Sequence, residues 1–236
     1  MARKRLERSR QVKRFEEGSN HYWMSFSDLM SALLLIFALL LMVNIFGNQT
    51  EMEAKDQMIE EVLGVKTRLI EELSESFSDS NLEMEIDPQT GAIRFSSGVF
   101  FSYDSAKVSE AGSENLKSFV PKYISILLSD EFREHISQII VEGHTDQEGT
   151  YLYNMELSQD RSFAVVKEIY EDDFPDFEAK KELRQLITSN GRSFTVPMYN
   201  ESGEVDSEKS RRVEFKFRLK DEEMIKNIQE LVNDNE

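Results

Sequence analysis

From Leu29 to Phe46 the chain runs for eighteen residues in which only Ser31 and Asn44 interrupt a series of apolar side chains. Tyr22 to Asp28 extend that run past the roughly 20 residues needed to cross a ~30 Å hydrocarbon core. Residues 22–46 therefore read as a transmembrane helix, and the rest of the chain must lie on one side of the bilayer or the other. The apolar run begins at an acid, Asp28. A carboxylate at the centre of such a helix costs roughly 2.5 to 3.5 kcal/mol on insertion scales, so acids in these segments tend to pair, titrate or meet an ion.

Charge sets the orientation. Arg3, Lys4, Arg5, Arg8, Arg10, Lys13 and Arg14 precede the run against Glu7, Glu16 and Glu17, whereas residues 47–61 hold one basic residue, Lys55. The positive-inside rule makes 1–21 a cytoplasmic basic tail and places everything after Phe46 outside, in the periplasm of a bacterium. A secretory signal peptide shares the basic start and apolar core. Here, however, the core exceeds the usual 7 to 15 residues or so, and VNIFGNQTE offers no small-x-small cleavage site. An uncleaved inner-membrane anchor is expected. The absence of cysteine removes disulfides, thiolate chemistry and a lipid-modified N-terminal cysteine. The exported part carries 21 Lys and Arg against 41 Asp and Glu, a balance that excludes direct nucleic acid binding because phosphate contacts need a basic surface.

The exported part divides by pattern. Residues 47–81 read as a helical linker with an apolar stripe at Met58/Ile59, Val62/Leu63, Leu69/Ile70, Leu73 and Phe77. That stripe fits a stalk pairing with a second copy or another protein, and it fits a helix packing on its own domain. Spacing does not choose between them. From Leu82 the pattern turns globular. LEMEID and AIRFS flank PQTG as a β-hairpin, helices are expected near 109–128 and 151–170, and SQIIVEGHTD reads as a buried strand ending in a glycine turn. RRVEFKFRL alternates as a half-exposed strand. The expected class is α+β: a single N-terminal transmembrane helix, a helical stalk, and an α/β sandwich with helices on one face of a small sheet over 82–219. The residues 220–236 are expected to form a C-terminal amphipathic helix. The stretch 171–209, rich in charge and turn residues, leaves its connectivity open.

VEGHTDQEGTYLYNMELSQDR places Asp146 at a strand end and Arg161 on the following helix, fifteen residues apart. Both groups can face one cleft. A carboxylate accepting from an ammonium, beside a guanidinium binding a carboxylate, suits the zwitterionic head of an amino acid. A plain Asp-Arg salt bridge explains the same two residues equally well. His21, His135 and His144 offer no metal-ligand spacing. There is also no G-x-S-x-G elbow, phosphate loop or dinucleotide fingerprint, so neither enzyme chemistry nor a cofactor is expected.

The ordered elements GHTD, Asn154, Leu157-Ser158-Gln159-Asp160-Arg161 and SRRVEF at 210–215 resemble the OmpA-like peptidoglycan-binding domain over 82–219. The resemblance implies that Asp146 holds the ammonium and Arg161 the carboxylate of diaminopimelate in the wall's stem peptide. Tyr153, Asn154 and Leu157 would line the groove, and Thr145 and Ser158 would shape the turn and cap the helix. Arg211 and Arg212 stand at the family's closing basic pair. SNGRSFTVPMYNESGEVD departs from the family's glycine-rich stretch at one groove edge.

Ser25, Asp28, Ser31 and Ala32 share one helical face. Near the cytoplasmic interface Asp28 can reach water or cap the helix, and on a small-residue face it can meet a neighbouring helix. An anchor helix bearing FSDLMSALLL, joined to an OmpA-like domain, resembles the B subunit of ion-driven stator-type motors, with Ser31 at the family's hydroxyl position. The short connector and the absence of a double-phenylalanine pattern make it similar to the B subunit of the Zorya anti-phage defence complex, with the flagellar stator subunit and a passive wall anchor as alternatives. The resemblance implies a homodimer inside a ring of membrane A subunits, with Asp28 carrying a proton or sodium ion and the exported domain gripping peptidoglycan.

Overall fold

The computed structural model describes the backbone of residues 2–102 and 104–220, and side chains from residue 26 onward except 48–51, 53–58, 61, 62 and 103. The expected C-terminal helix lies outside the described residues apart from Lys220. The chain divides into two units, Met1–Met58 and Ile59–Glu236. In chain order the elements are α1 (Ala2–Phe77), β1 (Met84–Ile86), β2 (Ile93–Ser96), α2 (Ser97–Phe100), α3 (Glu110–Leu127), β3 (Ile136–Gly143), α4 (Tyr151–Ile169), α5 (Lys180–Leu186), β4 (Ile187–Gly191), α6 (Ser207–Ser210) and β5 (Arg212–Leu219).

In the first unit, Phe26–Gly47 is long and apolar enough to cross a membrane, with mean hydropathy 2.7. All of its residues are exposed. A helix whose apolar side chains are exposed all round suits lipid or partner helices rather than water.

The second unit is an α/β sandwich around a five-stranded sheet in the order β1-β2-β5-β3-β4. β1 and β2 form the expected hairpin, closed by Asp87, whose Oδ1 accepts from the backbone N–H groups of Gln89 and Thr90 at 2.9 Å. β5 lies antiparallel between β2 and β3, and β4 runs parallel to β3. Alternate residues of the central strands, among them Ile93, Phe95, Ile139, Val141, Val213 and Phe215, enter one core with Leu116, Phe119 and Tyr123 of α3 and Val165 and Ile169 of α4. Period-two strands and a period-3.6 helix thus contribute matching apolar faces. Both long helices of the domain are capped by hydroxyls. Ser109 accepts from Gly112 N at 3.0 Å, and Thr150 accepts from Tyr153 N at 3.3 Å.

Two expectations need correction. Of the stripe assigned to a linker, Leu69, Leu73 and Phe77 are buried in the domain's own core together with Val65, with Phe77 against Phe119 at a centroid separation of 5.3 Å. The compact unit begins at Ile59 rather than residue 82. Full burial of a leucine is worth roughly 1.5 to 3 kcal/mol, which favours docking this helix over leaving its stripe wet. The strand RRVEFKFRL is also not half exposed. Arg212 and Glu214 are buried, because they pair with each other along β5 while Lys216 and, from β2, Arg94 complete the charge of Glu214. The region 171–209, whose connectivity the sequence left open, supplies α5 and the edge strand β4.

Candidate functional site

Gly143 ends β3 and Gly191 ends β4, where α4 crosses the sheet closely. A Cβ on Gly143 would lie 2.1 Å from Ser158 O, and one on Gly191 would lie 2.6 Å from Gln159 N. Glycine lets the helix backbone rest on the strand ends, which fixes where the α4 side chains project. The Ser158 hydroxyl accepts from Ser193 N at 2.9 Å and donates to Met155 O at 3.0 Å. It ties α4 to the loop after β4, and the helix cap expected of it is Thr150 instead.

The turn after β3 then meets α4 around one cleft of about 210 Å³. Asp146, Tyr153, Asn154, Leu157 and Arg161 all line it, together with Asp104, Thr145, Glu148 and Arg211. Asp146 Oδ1 accepts from Glu148 N at 3.1 Å, and Asn154 Nδ2 donates to Glu148 O at 2.7 Å. Asn154 thus holds the turn that presents the carboxylate. The Tyr153 hydroxyl donates to Asp104 across the cleft. Asp104, at φ +55°, was not singled out from the sequence, since only the folded loop brings it opposite α4. Leu157 supplies an apolar wall.

The alternative of an Asp146-Arg161 salt bridge does not hold. Asp146 pairs with Arg211, whose Nη1 lies 2.5 Å from Oδ2. Arg161 is 4% exposed, donates through Nε to Ser105 O at 2.9 Å, and packs 5.5 Å from the Phe101 ring centroid. Among the described residues it forms no ion pair. Burial lowers its pKa from the ordinary arginine value, against the nearby negative charge of Asp104, yet a guanidinium remains cationic in proteins. A buried cation without a carboxylate partner is costly, and an anionic ligand group would relieve it. The Thr145 Oγ1, also buried at the cleft, has no hydrogen-bond partner.

A second cluster lies on the sheet face turned away from the helices. Glu142 and Glu214 stand directly opposite across β3 and β5. Lys216 Nζ lies 2.6 Å from an oxygen of each, and Arg212 Nε lies 2.6 Å from Glu214. Burial raises the pKa of both carboxyls. For Glu214 the charges of Arg212 and Lys216 overcome it, for Glu142 His144 and Lys216 do, and each is held at about 2. Burial lowers the pKa of His144 despite Glu142. Glu142, His144 and Glu214 are close enough to share a cation, but the Lys216 ammonium already bridges the two acids. The cluster is internally balanced.

Asp28 and Ser31 belong to the other unit. Asp28 is the third residue of the apolar segment Phe26–Gly47, and both side chains are exposed on that helix.

Residues 100–211 match the OmpA family. The matched stretch lies within the second unit, whose mixed α/β fold is OmpA-like. Along nearly its whole length the chain is similar to two proteins called Zorya protein ZorB. One, from an Escherichia coli strain of the ATCC 8739 line, is 28% identical over 225 residues, covering 90% of this chain and 94% of the relative. The other, from Escherichia coli O139:H28, is 29% identical over 218 residues, covering 89% and 86%. Among solved structures, a MotB-like protein from Desulfovibrio vulgaris is 16% identical with a TM-score of 0.45, over 70% of this chain and 95% of that one. The cell wall anchor of the T6SS from Pseudomonas aeruginosa is 21% identical with a TM-score of 0.43, over 66% and 99%.

Proposed function

We propose that this chain is the B subunit of an ion-driven, wall-anchored membrane motor acting in anti-phage defence. Similarity to ZorB proteins at both ends of the chain supports the pairing of anchor and domain. The observation that carries wall binding is the buried Arg161, which forms no ion pair among the described residues and lies in the same cleft as Asp146. Diaminopimelate would place its ammonium on Asp146 and its carboxylate on Arg161, with Tyr153, Asn154 and Leu157 shaping the groove. The basic tail lies in the cytoplasm and the domain in the periplasm.

In this reading two copies of the chain stand inside a ring of A subunits. Asp28 takes up a proton or sodium ion, Ser31 helps to solvate it, and release on the far side steps the ring about the tethered pair. An elementary charge crossing 100 mV supplies about 2.3 kcal/mol. That work becomes rotation only if one part is held still, which is the role of the wall grip. The transported cation is the only small species the cycle needs.

A passive tether is the second reading, favoured by the place of Asp28 in the first turn of the apolar segment, where a charge is cheaper than at mid-membrane. Asp28→Asn separates the two. It keeps shape and removes the charge, so the motor should assemble and protect no culture from phage. Full protection by the variant would leave only the tether.

A further inference from the structure

The cleft does not end at its two arginines. Arg161 and Arg211 also form one wall of a second cavity of about 220 Å³, bounded by Ser97, Phe101, Ser102 and Glu208. Ser97 is 6% exposed, lines this cavity, and its Oγ has no hydrogen-bond partner. Its backbone is held in place, since Ser97 N donates to Arg211 O at 2.8 Å and Ser97 O accepts from Phe101 N at 2.9 Å. Buried hydroxyls in folded proteins are nearly always satisfied. Each cavity therefore carries one buried, unpartnered hydroxyl, Thr145 in the first and Ser97 in the second, on either side of the guanidinium pair.

We propose that this second cavity is a subsite for the peptide attached to the zwitterionic residue, taking the residue that follows it in the stem. The carboxylate of that residue meets the guanidinium pair, its N–H faces Glu208, and Ser97 donates to a carbonyl or carboxylate oxygen. Guanidinium groups presented to two adjoining cavities suit a ligand with two anionic groups a short distance apart. Arg211 is then a specificity residue. It rests on Asp146 and turns to ligand carboxylate when an ammonium takes its place. The inference rests on the wall-binding reading of the first cavity.

Calorimetry on the full chain in detergent tests it with two probes, free diaminopimelate and the dipeptide in which diaminopimelate is followed by D-alanine. The dipeptide is expected to bind about tenfold tighter, the size of one charge-assisted contact. Ser97→Ala should remove about threefold of that gain, and Ser102→Trp, at an exposed position bordering only the second cavity, should abolish it. Both variants should leave binding of the free amino acid as in the parent. Equal affinity of the parent chain for the two probes overturns the subsite and leaves the first cavity standing, as does equal weakening of both probes by the variants. Failure of the parent chain to bind either probe overturns the wall-binding reading and the subsite with it.

Discussion

Two groups of charges lie on and beside the central strands of this domain and behave oppositely. On the sheet face away from the helices, Glu142, Glu214, Arg94, Arg212 and Lys216 interlock across β2, β3 and β5, each acid touching a cation. Where β3 ends, the cleft holds a buried Arg161 with no carboxylate partner among the described residues and an Asp146 whose partner, Arg211, is 38% exposed at its side chain. The first group is closed and the second open. Charge density alone does not mark a binding site in so acidic a chain. Incomplete pairing inside a buried cleft does, because the missing partner is what a ligand supplies.

Acid should break the closed group first. The folded-state values of Glu142 and Glu214 lie at about 2, below the ordinary 4.5. Their contribution is therefore full above about pH 4.5 and lost as pH falls toward 2. The two share Lys216, so their shifts do not simply add, and a total loss on the order of 3 to 5 kcal/mol is expected. Denaturant titrations of the full chain from pH 6 to 2.5 would show it as a falling midpoint. A flat midpoint would mean these acids are not closed by their neighbours.

Glu214→Gln tests the same closure at neutral pH. The amide keeps the shape but removes the carboxylate that Arg212 pairs with, while Arg94 keeps Asp87 and Lys216 keeps Glu142, and removal of one partner from a buried ionic group typically costs about 3 kcal/mol or more. Binding of diaminopimelate by the folded variant should be unchanged, since the residue is remote from the cleft lining.

The open group should respond in the reverse sense. Arg161→Met replaces an unpaired buried cation by an apolar chain of similar length, so stability should hold or rise. Affinity for peptidoglycan should fall by about 2 kcal/mol, roughly 30-fold. Sedimentation with purified sacculi reads the second quantity and thermal unfolding the first. Lost stability with intact binding would place Arg161 among the structural charges.

These contrasts also show what could be read from the chain. The turn at PQTG and the apolar periodicities are local signals, and they located the hairpin and the two long helices within a residue or two, although the cap of α4 is Thr150 and not Ser158. Asp146 and Arg161 stand fifteen residues apart, bridged by one turn and part of a helix, so their common cleft was legible as well. What escaped depends on distant partners. The alternation in RRVEFKFRL suggested a wet face because Arg94 and Glu142, which cover Glu214, come from strands about 120 and 70 residues away. ITSNG carries little strand character of its own, and β4 forms only by pairing with β3. Asp104 reaches the cleft through the folded loop before α3. The stripe of α1 matched a stalk and a core helix equally, and only the apolar groove beneath it decided for the core.

The smallest effect belongs to the doublet Arg211-Arg212, where neighbours in sequence fall on opposite sides of the comparison. Arg212 is 3% exposed and belongs to the closed group, and the side chain of Arg211 is more than a third exposed and reaches Asp146 in the open one. A partly exposed ion pair contributes about 0 to 1 kcal/mol, so Arg211→Ala should shift stability by less than about 1 kcal/mol. Arg211 competes with any incoming ammonium for Asp146, and once the ammonium is seated it serves the ligand's carboxylate. Removing it should therefore spare a simple amine probe such as lysine amide, or even favour it, and weaken diaminopimelate. Parallel titrations of the two compounds give the answer. Equal weakening of both would make Arg211 a prop for the turn rather than a charge that changes partners.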